Sequence, residues 1–402
     1  MKTKIWIKIL IITLLSYIFM SHSFAQQENT MGAQAYLSIN TWDLKEQYDS
    51  SHMLMVPLFY AYNRGDDNLK KMFKDNVNSF MEVGQSNINL NKKNQRLTNL
   101  QYLYFLSEYN LFDKRNDLSQ YLLSTAENVW LENPAWQWER KPFSNMRERL
   151  IWKLNADKSV GYKRMITDED LFLFGIAANL SHIYPENKIL NNIKFYALKT
   201  FEQRSSFDEN GRWLFDVGVY DDFNDYVYAG YTSKININKK KTLKNMASDS
   251  SHFFRMPKIL LSLQNSHLAG SKNYKKYQLY RDGLSKQFFD KVLVKRNDKI
   301  YLNNYMNGEN GIYRWEYPTL GKGKGYGPYE LTYAFGMGWW TFLPDNKIKT
   351  IYGEYYKQIK NNYLAGLCKQ IMNDIKKDKK IIDRRKFIGC NYIYNSYLAQ
   401  EY

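Results

Sequence analysis

Positions 249–257 of the chain read DSSHFFRMP, and positions 49–57 read DSSHMLMVP. Both copies carry the same four residues, a proline five positions after the histidine, and an apolar run behind it. Asp and Ser are preferred N-cap residues, and Pro is tolerated in the first turn of a helix. Each copy therefore predicts a helix start with an imidazole, His52 or His252, near its N-terminus. The alternatives are a shared capping motif and a repetitive helical protein whose inner helices face one cavity.

Apolar residues recur at helical spacing along most of the chain. Thr167 and Asp170 resemble a capping box in front of a helix that is apolar on nearly every face, as a buried helix is. Before it, the spacing predicts amphipathic helices over 69–81, 97–106 and 118–129. After it, an amphipathic helix over 189–201 is followed by two pairs of a buried and an amphipathic helix, over 252–263 with 274–289 and over 329–342 with 348–372. The segment 291–302 predicts a β-hairpin.

These elements predict an all-α fold: an (α/α) toroid or barrel of about six to seven helical hairpins with few short strands. The chain has only eight prolines and no linker rich in Pro, Gly and Ser, which favours one domain over residues 26–402. An α-solenoid is the competing architecture, but no period of about 34 to 45 residues is visible.

The first 25 residues predict a secretory signal peptide with a charged start, an apolar core over 9–20, and cleavage near Ala25. The core is too short for a stable membrane anchor, so we expect a periplasmic or secreted protein. Removing Lys2, Lys4 and Lys8 changes the formal charge from +17 to +14. Such a basic exported protein attracts polyanions, and acidic glycans are favoured over nucleic acid as partners.

Two cysteines, Cys368 and Cys390, predict either one disulfide or two buried thiols. The sequence indicates no metal site, because no cluster of Cys and His has ligand spacing. The glycine-dense loop at 303–329 is not a phosphate loop, because the Walker spacing is absent, and no cofactor is predicted.

Three polar loops are the places where an inner and outer ring of helices would carry chemistry. In the loop 133–149, Trp136 and Trp138 offer flat faces to sugar rings. Its arginines can pair with carboxylates, and they are Arg140, Arg147 and Arg149. A packed aromatic corner is the alternative for this loop. The second loop, 220–228, is acidic, and a solvated turn is favoured over a cation site or an acid and base pair.

The third loop, 303–329, is dense in glycine, tyrosine and basic residues and could close over an anionic chain. The alternative is a flexible connection whose aromatic residues pack on the barrel. The side chains in this loop that we predict to take part are Tyr305, Tyr313, Arg314, Tyr317, Lys322 and Tyr326.

The Ser-Ser-His252 segment, the Tyr313-Arg314 pair and the Trp-Gln-Trp loop resemble the α/α-toroid polysaccharide lyases. They are most similar to polysaccharide lyase family 38, whose members act on alginate or glucuronan. The resemblance implies β-elimination on a uronate-containing polysaccharide without a cofactor. In one respect the chain departs from the pattern: related lyases often carry Asn beside the catalytic His, whereas Ser251 precedes His252 here. An Asn that neutralises the substrate carboxylate would have to come from elsewhere.

In such a reaction Arg314 and His252 would stabilise the enediolate that forms when the proton beside the carboxylate leaves. Tyr313 is the preferred base and acid if nearby cations lower its pKa from about 10, and the alternatives for this role are Tyr305, Tyr317 and Tyr326. The predicted substrate-binding residues are His52, Trp136, Trp138, Arg140, Arg147, Arg255, Tyr317, Lys322 and Tyr326.

Two other functions compete with the lyase. A glycoside hydrolase on the same fold would use two carboxylates across the scissile bond. Its candidates are Asp49, Asp249, Glu139, Asp222 and Glu316. A non-catalytic glycan-binding protein would use the Trp loop as its platform. The basic charge favours the lyase.

Overall fold

The computed structural model of the chain describes residues 29–138, 142–243 and 247–402. The predicted signal peptide, Glu139 and Arg140 lie outside these ranges. Helices dominate the described residues, and the only strands there form two short hairpins, which confirms the all-α prediction. Within the same ranges, no helix combines the length and apolar character needed to cross a membrane.

The α-helices in chain order are α1 (Met31–Leu37), α2 (Leu44–Arg64), α3 (Asp67–Ser79), α4 (Lys93–Asp113), α5 (Asn116–Leu131), α6 (Met146–Asn155), α7 (Asp168–Leu180), α8 (Lys188–Arg204), α9 (Ser250–Phe253), α10 (Met256–Asn265), α11 (Lys272–Gln287), α12 (Lys347–Ile359), α13 (Asn362–Asp378) and α14 (Arg384–Glu401). The strands are β1 (Ser205–Phe207), β2 (Trp213–Phe215), β3 (Leu293–Arg296) and β4 (Lys299–Leu302). Shorter 3₁₀ and π segments are Phe80–Gly84, Gln85–Asn87, Lys158–Arg164, Phe288–Val292, Glu330–Met337 and Trp339–Phe342.

The inner helices contact one another in a cyclic order. Helix α2 packs on α4, α4 on α7, and α7 on α10. Helix α10 packs on the segment Trp339–Phe342, which contacts α14, and α14 packs back on α2. Amphipathic helices cover this set from outside, with α8 on α7, α11 on α10 and α12 on α14. The cyclic order is what an (α/α) toroid requires, and the toroid itself stays a prediction.

The two DSSH segments have different structures. Asp249 caps α9 as predicted, and Pro257 lies in the first turn of α10. The prediction for the first copy is wrong, because α2 already begins after Asp43 and runs through 49–57. Pro57 lies inside that helix and cannot donate to the Met53 carbonyl one turn earlier.

Helix α14 compensates for the missing donor. The Asn395 side-chain amide donates to the Met53 carbonyl oxygen at 2.9 Å. Next to it, the Trp339 indole donates to the His52 carbonyl oxygen at 2.8 Å. The interior proline is tolerated because neighbouring elements satisfy the carbonyls around it.

Other predicted elements are confirmed or corrected individually. The capping box at Thr167 and the hairpin β3–β4 are confirmed, whereas the hairpin β1–β2 was not predicted. The segment 329–342 forms two 3₁₀ segments instead of one helix, since Tyr329 and Gly338 both have positive φ. The helix over 348–372 is two helices, because Lys360 is extended and the Asn361 side chain caps α13.

The cysteine alternatives are resolved in favour of one disulfide. Cys368 in α13 is bonded to Cys390 in α14 across 22 positions of sequence. The bond therefore ties the last two helices together.

Candidate active site

A cavity of about 430 Å³ opens where the N-terminal ends of α4, α7 and α9 meet three loops. The loops are those predicted to carry chemistry, around positions 136–138, 217–226 and 314. Two of these helix N-termini are capped by acidic side chains, α7 through the capping box of Thr167 and Asp170 and α9 through Asp249. Of the predicted site residues, the cavity wall contains Trp136, Trp138, His252, Arg255 and Arg314.

His252 is held by the aspartate that caps its helix. The Asp249 carboxylate accepts from the His252 backbone N–H at 3.0 Å and lies 2.9 Å from Nδ1 of the ring. A carboxylate only accepts, so Nδ1 carries a proton, and whenever the ring is neutral its lone pair is on Nε2. The side chain is 33% exposed and lines the cavity, where Nε2 faces Arg314.

Asp249 is a buried carboxylate with many donors around it. Burial alone would raise its pKa, but the His252 ring, hydrogen bonds from His252 and Ser251, and the Arg314 cation hold the pKa well below its usual range. Ser251 donates to Oδ1 at 2.6 Å, and the Tyr226 hydroxyl donates to Oδ2 at 3.0 Å. The carboxylate therefore stays charged and keeps His252 in one tautomer.

Tyr313 lies beside the histidine but is almost fully buried. Its hydroxyl is 3.2 Å from His252 Nδ1, and its backbone pairs with Tyr326 through two hydrogen bonds of 2.9 Å. The prediction that cations lower its pKa is wrong. Burial and the Asp249 charge raise the pKa of Tyr313 well above its usual value, and Arg314 offsets only part of this. Its phenol therefore stays protonated.

Arg314 faces His252 from the third loop. Its Nη2 atom is 3.4 Å from His252 Nε2, and its Nε donates to Asp225 Oδ2 at 3.0 Å. Its backbone N–H also donates to the Asp225 carbonyl, although φ at Arg314 is 53°, in the left-handed region. Such a conformation in a non-glycine residue costs about 1–3 kcal/mol and needs surrounding contacts to hold it. Burial raises the pKa of Asp225, and Arg314 opposes that rise.

Arg255 contacts the ring of His52 and the backbone carbonyl of His252, to which its Nη1 donates at 3.4 Å. Its Nε donates to His52 Nε2 at 2.9 Å, while its two terminal nitrogens donate to Asp168 and to the Tyr48 hydroxyl, both at 2.8 Å. His52 itself is buried, and burial together with the Arg255 charge holds its pKa well below the usual value. The neutral His52 therefore accepts a hydrogen bond from Arg255, and it does not line the cavity.

A buried ion cluster closes the side of the cavity near the tryptophans. Arg149 donates to Glu169 at 2.6 Å and to Asp170 at 2.9 Å, and Lys153 donates to Asp170 at 2.6 Å. Arg96 lies 3.6 Å from Glu169. Three cations thus share two carboxylates, and burial, followed by the Arg149 charge, lowers the pKa of Lys153 to about 7.

Several other predicted residues lie off the cavity wall. Tyr305 is fully buried and its hydroxyl donates to the Ile312 carbonyl at 2.8 Å. Tyr317 stacks on Arg314, with 4.5 Å between the guanidinium carbon and the ring centroid. Arg147 and Lys322 are exposed and do not line the cavity, and Arg140 lies outside the described residues.

The carboxylates proposed for a hydrolase are scattered. Asp49 is bonded to Arg384, and Glu316 is exposed and accepts from the Gly323 N–H. Asp222 lies against Gly161, outside the cavity wall. Glu139 lies outside the described residues, and of the other four candidates only Asp249 lines the cavity, where it is hydrogen-bonded to His252.

Sequence reasoning missed several residues of the site. Asp225 belongs to the acidic loop for which a solvated turn was favoured, and its contact with Arg314 spans 89 positions. Tyr226, Asp168 and Glu169 also line the cavity. The capping box at Thr167 was the available signal for the last two, because its acidic residues open the helix that faces the cavity.

Comparison of the chain with protein-family models, with curated proteins and with solved structures finds no match.

Proposed function

We propose that the protein cleaves a uronate-containing polysaccharide by β-elimination. The observation that carries the proposal is the pairing at the cavity wall of His252 and Arg314, with Nε2 and Nη2 3.4 Å apart. This places an imidazole whose Nδ1–H is directed at Asp249 beside a permanent cation. Elimination next to a carboxylate needs both groups within reach of one sugar unit.

His252 Nε2 takes the proton on the carbon beside the uronate carboxylate, the electrons form the new carbon–carbon double bond, and the bond to the glycosidic oxygen breaks. Arg314 stabilises the negative charge that develops on the carboxylate. In a syn elimination the His252 imidazolium then returns the proton to the departing oxygen. The products are one unsaturated uronate end and one free hydroxyl.

Arg314 has a donor left for the substrate. Its Nε bonds Asp225 and its Nη2 faces His252, while Nη1 has no hydrogen-bond partner among the described residues. Guanidinium and carboxylate groups pair strongly because the donors match the two oxygens. Tyr313 then acts as a positioning residue for His252, since its protonated, buried phenol is unsuited to take the proton.

The cavity as a whole is close to charge balance. Its cations are Lys93, Arg149, Arg255 and Arg314, and its carboxylates are Asp168, Glu169, Asp225 and Asp249. Arg149 and Arg255 are neutralised by ion pairs with protein carboxylates. Arg314 is also paired, with Asp225, so selection of an acidic sugar depends on the remaining Nη1 donor of Arg314 and on Lys93 at the rim. The formal charge of +14 that remains after removal of the predicted signal peptide attracts the polymer.

The proposal includes export of the protein from the cell. A substrate of this kind is found outside the cell, and the Cys368–Cys390 disulfide is the kind of bond that persists in an oxidising compartment.

The test measures the ultraviolet absorbance of the unsaturated uronate with alginate, polymannuronate, polyguluronate and glucuronan offered separately. We expect product from one of them, and a loss of about 10²-fold or more in kcat for His252→Ala and Arg314→Ala. Arg147→Ala and His182→Ala are matched controls, because Arg147 is exposed outside the cavity and His182 lines a different one.

Reducing ends without unsaturated product would replace the lyase by a hydrolase. Binding of a polymer without any product would favour a glycan-binding protein. Full activity in both His252→Ala and Arg314→Ala would keep the lyase and reject this site.

A further inference from the structure

An uninterrupted series of aromatic rings passes beneath the His252 site. From the cavity inwards, ring centroids are 5.6 Å apart for Trp138 and Phe223, 5.7 Å for Phe223 and Tyr226, and 5.7 Å for Tyr226 and Tyr313. Tyr313 is the ring that contacts His252, at 6.2 Å between centroids.

The series continues beyond Tyr313, away from the cavity. Centroids are 6.3 Å apart for Tyr313 and Tyr326, 6.1 Å for Tyr326 and Tyr333, and 6.2 Å for Tyr333 and Tyr392. Their planes are inclined by only 31° to 39° from one ring to the next. We call Tyr326, Tyr333 and Tyr392 the tyrosine row. None of the three lines the cavity that holds Trp138, so the row lies outside that cavity, at the opposite end of the ring series from Trp138.

The tyrosine row differs from the buried tyrosines next to it. Tyr226 and Tyr313 are 4% and 2% exposed, whereas Tyr333 is 38% exposed and the other two row members are half-buried. The hydroxyls of the row have no hydrogen-bond partner among the described residues, and they are not enclosed in the core. Burial raises the pKa of Tyr333 and of Tyr392, so both phenols stay protonated and can donate.

The close approach of two backbone segments places the rings of Tyr333 and Tyr392 next to each other. A Cβ atom added at Gly336 would lie 2.5 Å from Cβ of Tyr392, so only glycine allows α14 to approach the segment Glu330–Met337 this closely. That segment carries Tyr333. Rigid aromatic faces with free hydroxyls are suited to sugar rings, because they pack on C–H faces and bond hydroxyl groups.

We propose that the tyrosine row binds sugar units of the polysaccharide on the side of His252 opposite to Trp138. The chain then crosses the site, with units on both sides of the scissile bond, and is cut internally. The internal cleavage in this inference rests on the proposed function, whereas the sugar binding rests on the tyrosine row alone.

Binding is measured first, without turnover, in a His252→Ala background by affinity electrophoresis in gels that contain polymannuronate, polyguluronate or glucuronan. Tyr333→Ala and Tyr392→Ala should each weaken retardation about fivefold to tenfold, the effect of losing one aromatic contact. Tyr333→Phe keeps the ring and should lose less. Tyr363→Ala is the control, because Tyr363 is 78% exposed on α13 and belongs to no ring contact of the row.

Cleavage is measured next in the His252-intact protein. Internal cutting should lower the viscosity of the polymer before short products accumulate. Tyr333→Ala should raise KM for the polymer about fivefold to tenfold and leave kcat on the shortest cleavable oligomer unchanged.

The outcomes separate the two proposals. Retardation that depends on Tyr333 without unsaturated product would reject the lyase and keep the tyrosine row. Unsaturated product with equal retardation and KM in all tyrosine variants would keep the lyase and overturn the row. Retardation by none of the polymers would overturn the row as a glycan-binding surface, and release of short products from the start would overturn internal cleavage.

Discussion

Asp249 and His252 form one hydrogen-bonded unit in which a single carboxylate caps a helix at its backbone and holds the imidazole Nδ1 atom at 2.9 Å. The same side chain therefore decides where the histidine lies and which of its nitrogens carries the proton. Asp249 and His252 are only three positions apart in the sequence. Tyr226, Tyr313 and Arg314, which contact this pair, come from distant parts of the chain.

Asp249→Asn should lower kcat for unsaturated product by about 10²- to 10³-fold. Asn is also a good N-cap, so the helix start is kept, but its amide no longer requires the proton on Nδ1. Thermal unfolding and kcat measured together separate the two effects. Asp75→Asn, at an exposed site on α3 where Asp75 pairs with Lys71, is the control. An unchanged kcat would show that the tautomer of His252 does not matter.

The unfolding free energy should fall as the pH drops below about 4. The pKa values of Asp249 and Asp170 are held well below their usual range in the folded protein, so in acid the unfolded chain binds protons that the folded chain does not. Stability is therefore present above the unfolded pKa of about 3.9 and lost as the pH falls towards the folded one.

Urea unfolding at a series of pH values checks this dependence. In Asp249→Asn the slope below pH 4 should be smaller by about 1.4 kcal/mol per pH unit, the contribution of one proton. Equal slopes in the two proteins would mean that Asp249 is not the residue that titrates.

Asp170→Asn should cost about 3–5 kcal/mol of unfolding free energy, because it leaves Arg149 and Lys153 buried without their shared carboxylate. Lys153→Met should cost less than about 2 kcal/mol, since it removes the third cation from a cluster with two carboxylates. Urea unfolding compares them, with Asp117→Asn as an exposed control. The reverse order of the two costs would show that Lys153 is the residue the cluster needs.

Asn395→Ala should cost about 1–3 kcal/mol, because the Met53 carbonyl loses the donor that replaces the missing N–H of Pro57. In a Pro57→Ala background the helix supplies its own donor, and the same change should cost less. A double-mutant cycle by urea unfolding measures this coupling. Additive costs would mean that Asn395 stabilises α14 for another reason.

The sequence by itself determined the helices and helix caps that depend on residues close together in the chain. Apolar spacing placed the amphipathic helices, the capping box opened α7, and Asp249 was recognised as a helix cap three positions before His252. The sequence also selected the three loops that meet at the cavity. The first DSSH segment shows the limit of local reasoning, since the same letters occur inside α2 when a helix that starts earlier continues through them.

Only the tertiary structure decided which side chains act together. The contact of Tyr313 with His252 spans 61 positions, that of Arg314 with Asp225 spans 89, and that of Asn395 with Met53 spans 342. Such contacts depend on how the helices pack, and no local pattern encodes packing. Burial is decided in the same way. It explains why Tyr313 keeps its proton, why His52 stays neutral behind Arg255, and why the tyrosine row is visible only in three dimensions.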